Sequence, residues 1–358
     1  MNPLAQGPGR WSRARVPPAA LTVPGLVASR VLDAELAALL WITVEANVPL
    51  IVAAGEDEAP SRGVMGAFLD LLPATVERVE LQGPHETFDW LGDAAALGWT
   101  GDDDEPSVGQ AGGRPSRGTG IALPPRRMVP PETSYLVAGE LGSGPGADIG
   151  GSRARLLIRA LQRGYGLGAT VRADSLEQVL VHLSAPPASA SADELRRLGI
   201  VLVLDRADRG ANVESATRRH GPTRDGTANT AAASKPGHVS GESAPQATDG
   251  PEHGVGGWRA GACHYVRPLE LDAAGHLQRR PPAVLATWDP HHDQLEHFEW
   301  GVTAELAMRV GLARDEFEKE HAARTRILAA LVAAGRTSPE ALHQLLEQRS
   351  RQGAGGAP

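Results

Sequence analysis

The apolar positions along this chain follow two periods. Over residues 31–46, Leu32, Leu36, Leu39 and Leu40, with Thr43, recur at three- and four-residue spacing. That spacing puts them on one face of a helix, with Asp33 near its start. The run V-P-L-I-V-A-A over 48–54 has no charged or amide position. A strand buried on both faces of a parallel sheet reads this way. The alternation then continues: a helix over 63–72 closed by Pro73, a strand over 76–81, a strand over 134–141, a helix over 152–163 stopped by Gly164. A strand over 168–172, helices over 175–183 and 192–198 and a strand over 200–204 complete it. Strands alternating with helices predict an α/β core whose mainly parallel sheet is covered on both faces.

The breaks in the pattern set the expected organisation. Residues 1–29 read as a loose N-terminal arm and 30–207 as the core. Within the core, 92–125 carries Asp102-Asp103-Asp104-Glu105 and a Gly/Pro/Ser/Arg tract, and reads as a mobile loop. Residues 208–257 are Gly, Ser, Thr, Ala and Pro with scattered charge; such a composition cannot bury enough apolar surface to order itself, so a disordered insert is expected. Two antiparallel strands over 258–268 and 276–288 and helices over 303–311, 314–334 and 338–350 form a hairpin-plus-helices region over 258–350.

Composition narrows the partners. The 358 residues carry a formal charge of −8, which argues against nucleic acid or an anionic membrane as partner of the whole chain. The one cysteine, Cys263, excludes an internal disulfide and suits a reducing compartment. No apolar run reaches the roughly 18–20 residues that span a bilayer. A cytoplasmic protein with no membrane insertion is the expectation.

The candidate chemistry begins at residues 55–62, G-E-D-E-A-P-S-R, which join a buried strand to a helix. Backbone amides and a helix N-terminus at such a junction favour an anion. Against the phosphate-loop pattern G-x-x-x-x-G-K-[ST], Gly55 holds the first position, Pro60 the second glycine, Ser61 the lysine and Arg62 the Ser/Thr. The first lysine of the chain is Lys235, so no shift of register restores the missing charge. Without the Ser/Thr the usual Mg²⁺ contact is also gone, and Arg62 is the candidate substitute cation. Residues 135–140, Y-L-V-A-G-E, form an apolar strand ending in Gly139-Glu140, where a carboxylate beside a terminal phosphate would orient water.

The ordered set of motifs over roughly 30–205 resembles the type II/type IV secretion (pilus-assembly) ATPase family. The carriers are Gly55 at the loop, Glu86 and Asp89 near the acidic-box position, and Arg127-Met128 with Pro130 leading into Gly139-Glu140. Gly164-Tyr165-Gly166, Ala169-Thr170 and Ala173-Asp174-Ser175 follow. The resemblance implies a RecA-like P-loop core, ATP and Mg²⁺ as ligands, and assembly into a homo- or hetero-oligomeric ring that serves a membrane machine. By resemblance Glu140 is the catalytic glutamate, Glu86 the acidic-box residue, and Arg126 and Arg127 candidates for contacting a neighbour's nucleotide. Gly55 and Glu140 are then expected at adjacent strand ends of one parallel sheet. The departures are Ser61 for lysine, Arg62 for Ser/Thr and Arg172 for the family's histidine. They predict impaired or lost hydrolysis, in a nucleotide-sensing or structural subunit. Two alternatives stand beside it: an active ATPase that grips phosphate with Arg62, and a scaffold that binds a protein partner through 258–350.

Other chemistry is weaker. Asp289, His291, His292, Asp293 and His297 could donate to a metal but lack a rigid helical spacing, and a polar hairpin end is the simpler reading. Cys263-His264 falls in a strand with no placed Asp or Asn, which reads as packing.

Overall fold

The computed structural model describes residues 21–55, 59–99, 127–142, 147–207, 257–271, 276–298 and 301–354. Five parallel strands form the centre: β1 (Leu50–Ala54), β2 (Glu77–Glu80), β3 (Ser134–Glu140), β4 (Gly166–Arg172) and β5 (Gly199–Arg206). Their order is β5-β1-β4-β3-β2. Each residue of β1 is buried, and the strand divides itself between two cores. Leu50, Val52 and Ala54 face one, Ile51 and Ala53 the other, as two-sided burial of a pleated strand requires.

Helices cover both faces. One side carries α1 (Val23–Ala28), α2 (Ala34–Glu45) and α3 (Ala59–Leu69); the other carries α4 (Gly151–Ala160), α5 (Leu176–Ser184) and the short α6 (Ala192–Leu195). Asp33 caps α2 by accepting from the Leu36 N–H at 2.8 Å. Its second oxygen meets His297 Nε2 at 2.7 Å, tying the first long helix to a strand near the other end of the chain.

The two antiparallel strands expected after the low-complexity tract do pair with each other, and they also join the same sheet. Strand β6 (Trp258–Val266) pairs antiparallel with β5, and β9 (Ala283–Asp289) and β10 (Gln294–His297) extend the sheet to eight strands. Between them, β7 (Glu270–Leu271) and β8 (Leu277–Gln278) make a small separate ribbon. The last helices are α7 (Thr303–Val310), α8 (Arg314–Ala333) and α9 (Pro339–Ala354). Helix α8 lies across α1 and α2, with Phe317 and Leu328 in the core they share. Arg324 of α8 stacks over Trp41 of α2, 4.8 Å from the ring centroid.

Two further expectations are corrected. The end of the expected arm, 1–29, is folded: Thr22 caps α1, and Val23 and Leu26 are fully buried. Part of the expected mobile loop, 92–125, is also packed. Residues 92–99 form turns, Trp99 meets Phe88 edge-on at 5.1 Å, and Arg159 donates to the Leu97 carbonyl at 2.6 Å. Aromatic packing outweighs the polar neighbours there. Residues 100–126, the tract 208–256 and residues 1–20 lie outside the described residues. Among the described residues no helix is long and apolar enough to cross a membrane.

Candidate functional site

Gly55, Glu140 and Arg172 all stand at the C-terminal edge of the parallel strands, the edge at which open α/β sheets place their ligands. Gly55 and Glu140 were expected at adjacent strand ends; they are not on adjacent strands, so the arrangement expected of a P-loop core is not found. Strand β4 lies between β1 and β3, so Thr170 pairs with Val52 on one side and Glu140 on the other. The Thr170 hydroxyl oxygen is buried there with no hydrogen-bond partner among the described residues.

Beyond Gly55, residues 56–58, which include the acids of the loop, lie outside the described residues. Helix α3 then begins at Ala59, four residues before the expected start. Pro60 and Ser61 therefore sit in the first helical turn. Proline is tolerated there, but it has no N–H, so the helix end loses one of the donors an anion would use. Ser61 is buried and Arg62 is exposed.

A bulge in β3 sets the direction of Glu140. Val137 pairs with Gly168 and Glu140 with Thr170, so β3 spends three steps where β4 spends two. The extra residue turns Glu140 onto the face of Val137, Thr170 and Arg172. There Arg172 Nη2 donates to Glu140 Oε2 at 2.7 Å; the Glu140 side chain is only 7% exposed and that of Arg172 43%. Asp148 fills the neighbouring space. Its Oδ2 accepts from the Glu140 N–H and from Arg62 Nη2, each at 3.0 Å. A Cβ on Gly139 would come within 1.9 Å of that same oxygen, so only glycine lets Asp148 in. Asp174 completes the set, its Oδ1 only 2.5 Å from where a Cβ on Gly55 would be. Asp148 and Asp174 were not singled out in the sequence as binding residues. Asp148 did leave a signal, as the sole charged residue of the Gly-rich turn 142–151.

The other expected site residues are placed differently. Glu86 lies in the loop after β2, 1% exposed. Its Oε1 accepts from the Phe88 N–H and Trp90 Nε1–H, both at 3.0 Å, and its Oε2 from the Gln82 N–H at 2.8 Å. This carboxylate holds its own loop together. Asp89 accepts from the Thr87 hydroxyl at 2.9 Å. Arg127 is exposed, just before β3, and Arg126 lies outside the described residues.

The histidine group disperses. His292 pairs with Asp289, whose other oxygen accepts from the His291 N–H at 2.8 Å; Asp293 faces Arg30 at 3.6 Å and His297 goes to Asp33. Among the described residues no group of three His, Cys, Asp or Glu side chains is set to hold a metal ion. Cys263 is fully buried in β6.

The described residues at the strand edge do not by themselves offer free cations to a triphosphate or spare carboxylate oxygens to Mg²⁺. A phosphate needs cations and amides turned toward it, and Mg²⁺ needs carboxylate oxygens to spare. Here Arg62 and the Glu140 amide both bond the Asp148 carboxylate, Arg172 bonds Glu140, and Asp174 covers Gly55. Among the described residues of the edge, Arg62 pairs with Asp148 and Arg172 with Glu140. No protein-family model matches this chain, and a search of curated proteins finds no match.

Proposed function

We propose that this chain is a divergent relative of the secretion and pilus ATPases that has lost hydrolysis and serves as a structural subunit of such a machine. The mainly parallel sheet, with Gly55 and Glu140 at one edge of it, supports the RecA-like part of this reading, although the expected adjacency of their strands is not met. The observation that carries the loss of activity is the ion pair of Arg172 with Glu140. A glutamate that positions water must accept from that water; here an arginine already occupies one of its two oxygens, Oε2. The Arg62–Asp148 pair disfavours the reading in which Arg62 grips phosphate, because the guanidinium already has an internal anion. Assembly into a ring with copies of itself or with an intact paralogue, and docking on a membrane machine, belong to the same proposal.

Steady-state hydrolysis by the purified full chain tests it. The expected result is no turnover above background with ATP and Mg²⁺, and no melting shift at millimolar nucleotide. Turnover that disappears in Glu140→Gln would overturn the loss of hydrolysis. A saturable nucleotide shift without turnover would replace the structural role by a nucleotide-sensing one.

A further inference from the structure

At the opposite edge of the sheet, before β1, β4 and β5 begin, lies a cavity of about 140 Å³ lined by Asn47, Val48, Gln162, Gly164, Arg197 and Arg309. We infer that this cavity is a binding site for a phosphate group, free or as a monoester, held between the guanidinium groups of Arg197 and Arg309. It is independent of the strand edge that carries Glu140.

Two arginines facing one cavity repel each other unless an anion lies between them. Each would ordinarily find a carboxylate along its own chain, and in both cases that carboxylate is engaged elsewhere. Arg309 sits one helical turn after Glu305 in α7, the usual position for an ion pair. Glu305 instead accepts from Arg267 Nε at 2.9 Å and from Arg280 Nη1 at 2.8 Å. Arg197 follows Glu194 by three residues, and Glu194 meets Arg159 Nε at 2.5 Å and Arg155 Nε at 3.5 Å. Neither Arg197 nor Arg309 makes an ion pair or side-chain hydrogen bond among the described residues.

The remaining candidates for neutralising them are weak. Tyr265 is close enough to act on Arg309 electrostatically, but burial pushes its phenol up to about 12, so it carries no charge at neutral pH. Burial, with Arg197 adding to it against the pull of Tyr265, lowers the Arg309 pKa; the two cations are thus felt by each other. Helix carbonyl ends at the cavity carry partial negative charge. Three of them are capped from within: Asn47 and Val48 N–H bond Val44 and Thr43 carbonyls at 3.0 and 2.9 Å, and the Gly164 N–H bonds the Leu161 carbonyl at 3.1 Å. Two unpaired guanidinium forks match a dianion better than a single carboxylate, and a phosphate group offers oxygens to both.

The test is a titration of the full chain with sodium phosphate at constant ionic strength, read as melting temperature, beside glycerol phosphate and sodium acetate. A saturable rise with phosphate or with the monoester, absent with acetate, is expected; which of the two acts more strongly distinguishes the free ion from an ester. Arg197→Gln and Arg309→Gln should each weaken binding by about tenfold or more. Arg62→Gln, at the other edge, should leave it unchanged. If Arg309→Gln does not fold, Arg197→Gln alone decides. No saturable rise, the same rise with acetate, or a rise that survives Arg197→Gln overturns the inference. None of these outcomes depends on whether ATP binds or is hydrolysed.

Discussion

Arg172 holds Glu140 across 2.7 Å, from the last residue of one strand to the last residue of its neighbour. The carboxylate is buried and the guanidinium partly exposed, so solvent screens the pair from one side only. Arg172→Gln and Glu140→Gln, alone and together, form a cycle whose coupling should be about 1 kcal/mol, below the value for a fully buried pair. Urea unfolding of the four proteins measures it. A coupling near zero would mean that Arg172 does not restrain Glu140, and the account of a blocked glutamate would lose its basis.

Gly139 and Asp148 are bound by contact. The glycine leaves room for the aspartate oxygen that bonds the Glu140 amide and Arg62. Gly139→Ala should destabilise the protein by about 1–3 kcal/mol, because the new methyl group and the carboxylate cannot share the space. In the Asp148→Ala background the same substitution should cost much less. Equal costs in both backgrounds, measured by denaturant midpoint, would show that the penalty comes from the strand backbone instead.

Glu86 is expected to act through structure. Glu86→Ala leaves the Gln82 and Phe88 amides and the Trp90 indole N–H without their acceptor, beside the buried Phe88 and Trp90 rings. The loss should be about 2–4 kcal/mol. Trp90 emission should shift as its indole hydrogen bond breaks. A variant as stable as the parent would point to a role outside the loop and revive the acidic-box reading.

Glu194 gives the acid limb of stability. Burial acts against its charged form, but hydrogen bonds from Ser191 and Arg159 outweigh it and hold the carboxyl below its ordinary value of 4.5. A folded pKa below the unfolded one means that the stabilisation is complete above the unfolded value and is lost as pH falls through the folded one. Glu194→Gln should therefore flatten the melting-temperature profile below about pH 4.5 and lower the melting temperature at neutral pH. An unchanged acid limb would remove Glu194 as its source.

The elements legible in the sequence were those whose burial leaves a pattern in one strand or helix. β1, β3 and β5 announce themselves by uniform apolar runs, and α2 by its leucine stripe. What could not be read depends on a neighbour. The bulge that turns Glu140 toward Arg172 is a mismatch between two strands, invisible in either alone. The pairing of β6 with β5 bridges a tract of some fifty residues, so nothing local distinguishes a sheet extension from a detached hairpin. Asp148 approaches Glu140 only because Gly139 has no side chain, and a glycine there also fits a simple strand end. Motif reading singled out Gly55, Glu140 and Arg172, which share one edge of the sheet, but took its cations to be available for a ligand.

His264 adds a second pH window, nearer neutrality. It lies in β6 between Val201 of β5 and Val284 of β9, and burial lowers its pKa from 6.5, partly opposed by Glu177. The unfolded chain then takes up a proton at a pH where the folded one does not. Stability tied to this residue is present in full above about pH 6.5 and falls as pH drops from there to the folded pKa. Unfolding midpoints of the parent should fall between about pH 7.5 and pH 5.5, and those of His264→Gln should fall less over the same interval. An equal fall in both would place the proton uptake on another group.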